Sequence, residues 1–143
     1  MFVGKPAGPH CWIATGALLA AIAVLLGAYG AHGLGEQLER DGFDREDAAE
    51  RIAARWDPAV RYQMYHALGL VLLGLLAERR PGRSIHVAGW MFLMGIGIFS
   101  GLLYVMTFTA ESWRWLGMIV PFGGLAFVAG WIAVLVGASR DSD

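Results

Sequence analysis

Cysteine is nearly absent. Cys11 stands alone, so no internal disulfide can form and no cysteine-rich zinc or iron–sulfur site can be assembled. Charge is scarce as well: Asp, Glu, Lys and Arg make up 16% of the 143 residues, against roughly 25% in an average soluble protein. With a net charge of −1 and no basic cluster beyond Arg79-Arg80 with Arg83 close by, the chain has no electrostatic footprint for nucleic acid. Also missing is the apolar–polar alternation in ten-residue segments that marks an outer-membrane barrel.

What the chain has in abundance is uninterrupted apolar sequence. Residues 6–35, 62–77, 84–110 and 115–139 contain no Asp, Glu, Lys or Arg and together hold 98 of the 143 residues. About 20 apolar residues cross a ~30 Å hydrocarbon core as a helix, and a soluble domain of this size cannot bury four such tracts. The reading is an all-α polytopic membrane protein, with four transmembrane helices in an antiparallel bundle at about 11–31, 58–77, 84–107 and 115–138. They form one membrane domain over 1–143. Lys5 and the apolar run 11–26 loosely resemble a secretory signal, but the run exceeds the ~7–15 residues of a signal core, so an uncleaved first helix is expected.

Two helices carry a stripe of small residues. On the first, Gly16, Ala20, Ala23, Gly27 and Gly30 are spaced four, three, four and three; on the fourth, Gly123, Ala126, Gly130, Ala133 and Gly137 are spaced three, four, three and four. Such spacing keeps the residues on one side of a helix, where close backbone approach drives association in lipid. Gly97 and Gly101 form a GxxxG pair on the third helix, predicting a further contact. Pro121 should remove one backbone bond and kink the fourth helix near its start.

The only sizeable polar segment is the first loop. Asp44 can cap a short helix over 44–56, in which Ala48, Ile52 and Trp56 make a narrow apolar stripe and Asp47 can pair with Arg51 one turn away. Its acidic excess argues against adsorption to anionic lipid, so this amphipathic helix is expected to lie at the membrane surface with its stripe on other helices or a partner. Asp57 as N-cap and Pro58 as first helical residue should then start the second transmembrane helix. Four spans put both termini on one side. Lys5, Arg79, Arg80, Arg83 and Arg140 lie there, and Arg40, Arg45, Arg51, Arg55, Arg61 and Arg114 lie on the other. The count is nearly tied, and the tight arginine cluster of the central loop favours termini in the cytoplasm.

Four phrases then stand in order: LGAYGAHGL at 26–34; Trp56 followed by AVRYQMYHAL at 59–68; FSGLLY at 99–104; and LGMIVPFGG at 116–124 with Gly130-Trp131. In combination they resemble a family of small four-helix inner-membrane proteins catalogued as domain of unknown function 423, with relatives in animal mitochondria. The resemblance covers about 12–136 and implies the fold and an inner (plasma) membrane location. It implies no reaction and lends no catalytic residues. The departure is the first loop, longer and more charged over 40–54 than the family's pattern.

Polar residues within the spans are the candidate site. An antiparallel hairpin brings the end of helix one beside the start of helix two, so Tyr29, His32, Tyr62, Gln63, Tyr65 and His66 are expected to form one polar cluster. Two readings stay open: a site for a proton, metal or cofactor, and an interhelical hydrogen-bond clamp. Two histidines without a carboxylate or thiolate make an incomplete metal site, so no metal and no cofactor are expected, although bis-His haem ligation and a quinone site stay open. Trp12, Trp90 and Trp131 on one side and Trp113 and Trp115 on the other read as aromatic belts. With no nucleophile, base and orienter assembled by spacing, an enzyme is not expected. The expected role is a structural, assembly or accessory component of a membrane complex, with the bilayer, other membrane proteins or a second copy as partners. The rival is a small transporter or a cofactor- or lipid-binding protein using His32 and His66.

Overall fold

The computed structural model describes residues 8–109 and 111–139, the side chains of residues 111, 112 and 114 excepted. Helix α1 spans Pro9–His32 and α2 spans Leu34–Arg40. Helix α3, Arg45–Arg51, runs through a π-helical turn, Ile52–Trp56, into α4, Asp57–Arg79. Helix α5, Arg83–Gly95, likewise passes through a π-turn, Ile96–Ser100, into α6, Gly101–Phe108. A 3₁₀ segment, Glu111–Met118, precedes α7, Val120–Ser139. Four helices are long and apolar enough to cross a membrane: Pro9–His32, Arg45–Arg79, Arg83–Phe108 and Trp115–Ser139. No strand occurs among the described residues.

Local chemistry sets the boundaries. Pro9 opens α1, where its missing N–H costs nothing. Gly42, with φ +97°, closes α2 in a conformation that side chains disfavour, and the Phe43 N–H donates to the Leu38 carbonyl in the six-to-one pattern of a Schellman cap. The Asp44 carboxylate accepts from the Asp47 N–H at 2.8 Å and so starts α3.

One sequence expectation is corrected here. Helices 44–56 and 58–77 are one continuous helix of 35 residues, with no new start at Asp57-Pro58. The reason lies in the π-turn. The Asp57 N–H bonds the Ile52 carbonyl, five residues back, and this wider ladder ahead of Pro58 relieves the clash that a proline makes with an α-helical carbonyl. Pro121 sits in the first turn of α7, just after the 3₁₀ segment gives way to the α-helix at Val120.

Helix α1 packs along α4 and α5 along α7, with α4 also meeting α5. At one face Gly74 meets Ile13 and Gly137 meets Ser84; at the other, Gly30 meets Trp56. These contacts make the bundle antiparallel and put Pro9 and Ser139 on the same face. The central core joins Trp12, Leu70, Leu73, Ala88, Phe92, Ile96 and Phe127. A second cluster of Leu34, Leu38, Ala48 and Trp56 seats α2 and α3 on the opposite face, so the apolar stripe of the first loop rests on the bundle itself. The outside is apolar: Leu25 and Leu135 are 69% and 68% exposed. In water such a surface would aggregate, whereas in lipid it is solvated.

The small-residue stripes meet neighbours at close range. A Cβ at Gly16 would lie 2.6 Å from the Ala67 carbonyl oxygen, and one at Gly30 would lie 2.6 Å from the Trp56 ring. Ala23 is fully buried between them, with Ala20 half-buried on the same side, and Gly27 faces Val60. On α7, Gly123 abuts the Phe99 backbone, Gly130 abuts Phe92, and Gly137 abuts Ser84. Ala126 is buried beside them and Ala133 is half-buried. The GxxxG pair behaves otherwise: among the described residues nothing comes within reach of the exposed Gly97 and only the Ile96 carbonyl of its own helix meets Gly101, so they make no such contact there. The third span instead uses Gly89, against Trp12, and Gly95, against Phe127.

Candidate functional site

Buried polar side chains lie along α4 because this helix is enclosed on more sides than the others. Its buried positions include Gln63, His66, Ala67, Gly69 and Leu70. Most of the polar groups there find partners on a different helix.

His66 is buried within α4, 5% exposed. Its Nδ1 lies 2.8 Å from the Tyr62 carbonyl oxygen, and its Nε2 lies 3.1 Å from Nε1 of Trp131 on α7. A carbonyl only accepts and an indole N–H only donates, so Nδ1 carries the proton and Nε2 is the acceptor. The ring is therefore neutral with both nitrogens engaged. Phe127 stacks on it at 3.5 Å between centroids, and Phe92 approaches edge-on at 5.1 Å. Nitrogen-15 spectra of histidine-labelled protein in bicelles should show His66 as the Nδ1-protonated neutral tautomer, and an Nε2-protonated ring would refute the assignment.

Gln63 links three helices. Its amide donates to the Leu19 carbonyl of α1 at 2.9 Å, and its carbonyl accepts from the Tyr104 hydroxyl of α6 at 2.9 Å. Seven residues earlier, the Trp56 indole donates to the Leu26 carbonyl of α1 at 3.0 Å. The Ser100 hydroxyl donates to the Ala59 carbonyl at 2.8 Å. Thr107 donates back along its own helix to Leu103. Near the terminal face, the Trp12 indole donates to Nδ1 of His86 at 3.3 Å and its ring is 2% exposed, so Trp12 belongs to the core and not to an aromatic belt. Among the described residues no buried side-chain nitrogen or oxygen lacks a hydrogen-bond partner. In lipid an orphaned polar group would be costly, so this closure is what the environment demands.

The expected cluster of six is divided. Tyr62 stacks beside His66, and Gln63 lies one turn away on the same buried side. Tyr29 packs edge-on against Trp56. Tyr65 is 56% exposed on the outer surface. His32 is exposed at the last turn of α1 and lines a shallow cleft of about 300 Å³ with Glu36, Glu39 and Arg45. His32 and His66 thus belong to different environments, and the reason is geometric. His32 is the last residue of α1 and lies beside α2 and α3, whereas His66 lies within α4 against Phe127 and Trp131 of α7. Among the described residues no three of His, Cys, Asp or Glu are placed to hold a metal ion.

The expected pair of Asp47 with Arg51 forms, but sequence reasoning missed what Arg51 and Arg55 do at the end of α6. Arg51 is 4% exposed; its Nη1 donates to the carbonyls of Thr107 and Thr109 at 3.2 and 2.9 Å, while Nε donates to Asp47 at 3.2 Å. Its guanidinium carbon sits 3.9 Å from the Phe43 ring centroid. Nη1 of Arg55 donates to the Met106 carbonyl at 2.6 Å. Both therefore satisfy orphan carbonyls at the C-terminal end of α6, where the helix dipole also favours a cation. The spacing of Arg51 and Arg55, one turn apart before the apolar tract, was the available signal.

A second cleft, about 340 Å³, opens at the face carrying the ends of α4 and α7 and the start of α5.

The family model described as Protein of unknown function (DUF423) matches residues 26–124. The chain is similar to the UPF0382 membrane protein YwdK of Bacillus subtilis (strain 168), 41% identical over 130 residues that cover 90% of this chain and 96% of that protein. It is similar also to the UPF0382 membrane protein SH2409 of Staphylococcus haemolyticus (strain JCSC1435), 38% identical over 125 residues, 87% of this chain and 92% of that one. No solved structure matches.

Proposed function

This chain belongs to the DUF423 family of membrane proteins, and from that premise we propose that it is a structural or accessory subunit of a larger complex in the bacterial plasma membrane, with both termini cytoplasmic. The carrying observation is the closure of its polar interior. Gln63, His66, Trp56 and Ser100 each bond another element of the bundle or their own helix, and both nitrogens of His66 are engaged. A carrier needs polar groups turned toward a path or a bound substrate. Here they are turned toward backbone carbonyls and one another, which makes them fasteners. Haem ligation by His66 would break its bond to Trp131, and His32 lies elsewhere, so the rival reading as a carrier or cofactor protein loses its two-histidine site.

What supports this orientation is the compact cluster Arg79, Arg80 and Arg83 at the terminal face, whereas Arg51 and Arg55 on the other face act as helix caps. The test is extraction from native membranes in mild detergent, followed by chemical cross-linking and native electrophoresis. Migration above the monomer with a reproducible membrane-protein companion is expected. A strict monomer without companions, or a Soret band or bound metal in the same sample, would overturn the reading.

A further inference from the structure

We propose that the start of α1 is a pH-sensitive latch: Trp12 holds it to α5 through a neutral His86, and when the histidines of this face gain protons it leaves α5 and draws toward α4 through His10 and Glu78. His10 and Trp12 stand almost side by side on α1, reach different helices, and make contacts that need opposite protonation states.

The Trp12 indole donates to Nδ1 of His86 at 3.3 Å. An indole N–H only donates, so Nδ1 is bare and the His86 ring neutral. Protonation puts a hydrogen where the acceptor lone pair was, and two donors then face one another. His10 works the other way. Its Nδ1 lies 3.8 Å from Oε1 of Glu78, a contact that attracts only when the imidazole is charged. Histidine is the side chain that changes charge between about pH 5 and 8, so one step in pH opens the first contact and closes the second.

The surroundings give the movement its direction. Around the two rings, α1 adds Cys11, α4 adds Glu78, Arg79 and Arg80, α5 adds Arg83, and α7 has no charged residue from Val120 to Ser139. Among the described residues Glu78 is the one carboxylate at this face, and it faces His10. A charged His86 gains a like-charged neighbour in Arg83, one turn back on the same helix, whereas a charged His10 gains Glu78. Trp12 is 2% exposed; its ring abuts Gly89 and stands edge-on to Trp90 at 5.8 Å. Without its acceptor the buried indole N–H is an orphan, which hydrocarbon does not tolerate. Trp12 lies one turn inside α1, so the nearest replacement acceptor is water at the membrane surface, and the ring reaches it when the turn moves off α5.

The test is nuclear magnetic resonance of the full chain in phosphatidylcholine bicelles, following the Trp12 indole and the His10 and His86 ring nitrogens from about pH 8 to pH 5. The indole signal is expected to lose its hydrogen-bonded shift with the same midpoint as His86, while the Trp131 indole, bonded to the buried His66, stays in place. His86→Gln offers the indole a carbonyl that does not titrate, so its signal should become independent of pH. A nitroxide on Cys11, which is exposed and the only cysteine, reads the movement when paired with one on Val87→Cys of α5 or Leu75→Cys of α4, both exposed positions. As pH falls the first distance should lengthen and the second shorten, and His10→Gln should abolish the shortening alone. The proposal is overturned by an indole signal unmoved over this range, by a response unchanged in His86→Gln, or by both indoles shifting together. Distances that do not change, or a shortening that persists in His10→Gln, overturn it as well.

Discussion

Gly16→Ala should destabilise the bundle by about 3 kcal/mol, the upper part of the range for overpacking, because the new methyl has nowhere to go. A Cβ there would sit 2.6 Å from the Ala67 carbonyl oxygen and 2.8 Å from the Val71 nitrogen. Both are backbone atoms of α4 within its hydrogen-bond ladder, so neither can swing aside as a side chain would. The helices must separate. Moving α1 outward would stretch the Gln63-to-Leu19 and Trp56-to-Leu26 bonds together, since all three contacts lie along the same pair of helices. The matched control is Gly97→Ala, on open surface. There alanine's better helix propensity, worth up to ~1 kcal/mol over glycine, acts alone and the change should be neutral or mildly stabilising. Reversible unfolding in bicelles, followed by steric trapping, measures both. Equal effects at the two sites would mean that α1 does not pack on α4 along this stripe.

Arg51→Ala is the second large effect, expected at about 3 kcal/mol, the lower end of the range for breaking a buried charged pair. The magnitude stays at that end because Asp47 is 43% exposed and can be rehydrated when its partner goes. The Thr107 and Thr109 carbonyls lose their donor at the end of α6, and the Phe43 ring loses the cation above it. Lysine restores the charge but not the planar fork, so Arg51→Lys should recover no more than about half of the loss. Asp47→Ala should cost less than ~1 kcal/mol, as an exposed partner does. The same unfolding assay, with hydrogen exchange over residues 106–109, separates these outcomes. A stability of Arg51→Ala within ~0.5 kcal/mol of the native chain would show that water caps α6 equally well.

The spans themselves were legible because membrane insertion imposes a length and a composition, and both are read directly from four charge-free tracts. The stripes on α1 and α7 were legible because each repeats at helical spacing. The GxxxG pair was not, because a helix apolar all round carries no sign of which side meets protein and which meets lipid; Gly97 faces outward while Gly95, outside any motif, meets Phe127. The continuity through Pro58 was hidden for a different reason. Proline at a helix start and proline just after a π-turn give the same local sequence, and only the five-residue bond from Asp57 to Ile52 distinguishes them. Of the candidate site, the pairing of Tyr62 with His66 followed from spacing on one helix. Trp131, the partner that decides the ring's tautomer, comes from 65 residues away and could not be assigned from spacing.

The arginine caps have a consequence for biosynthesis. Arg51 and Arg55 leave the ribosome before Met106, Thr107 and Thr109, the residues whose carbonyls they bind. Because synthesis runs from the N-terminus and early segments can fold first, the first half of the chain carries a finished receptor for the end of the third span. Chain order and cap order coincide: the donors of both caps are synthesised before the carbonyls they bind.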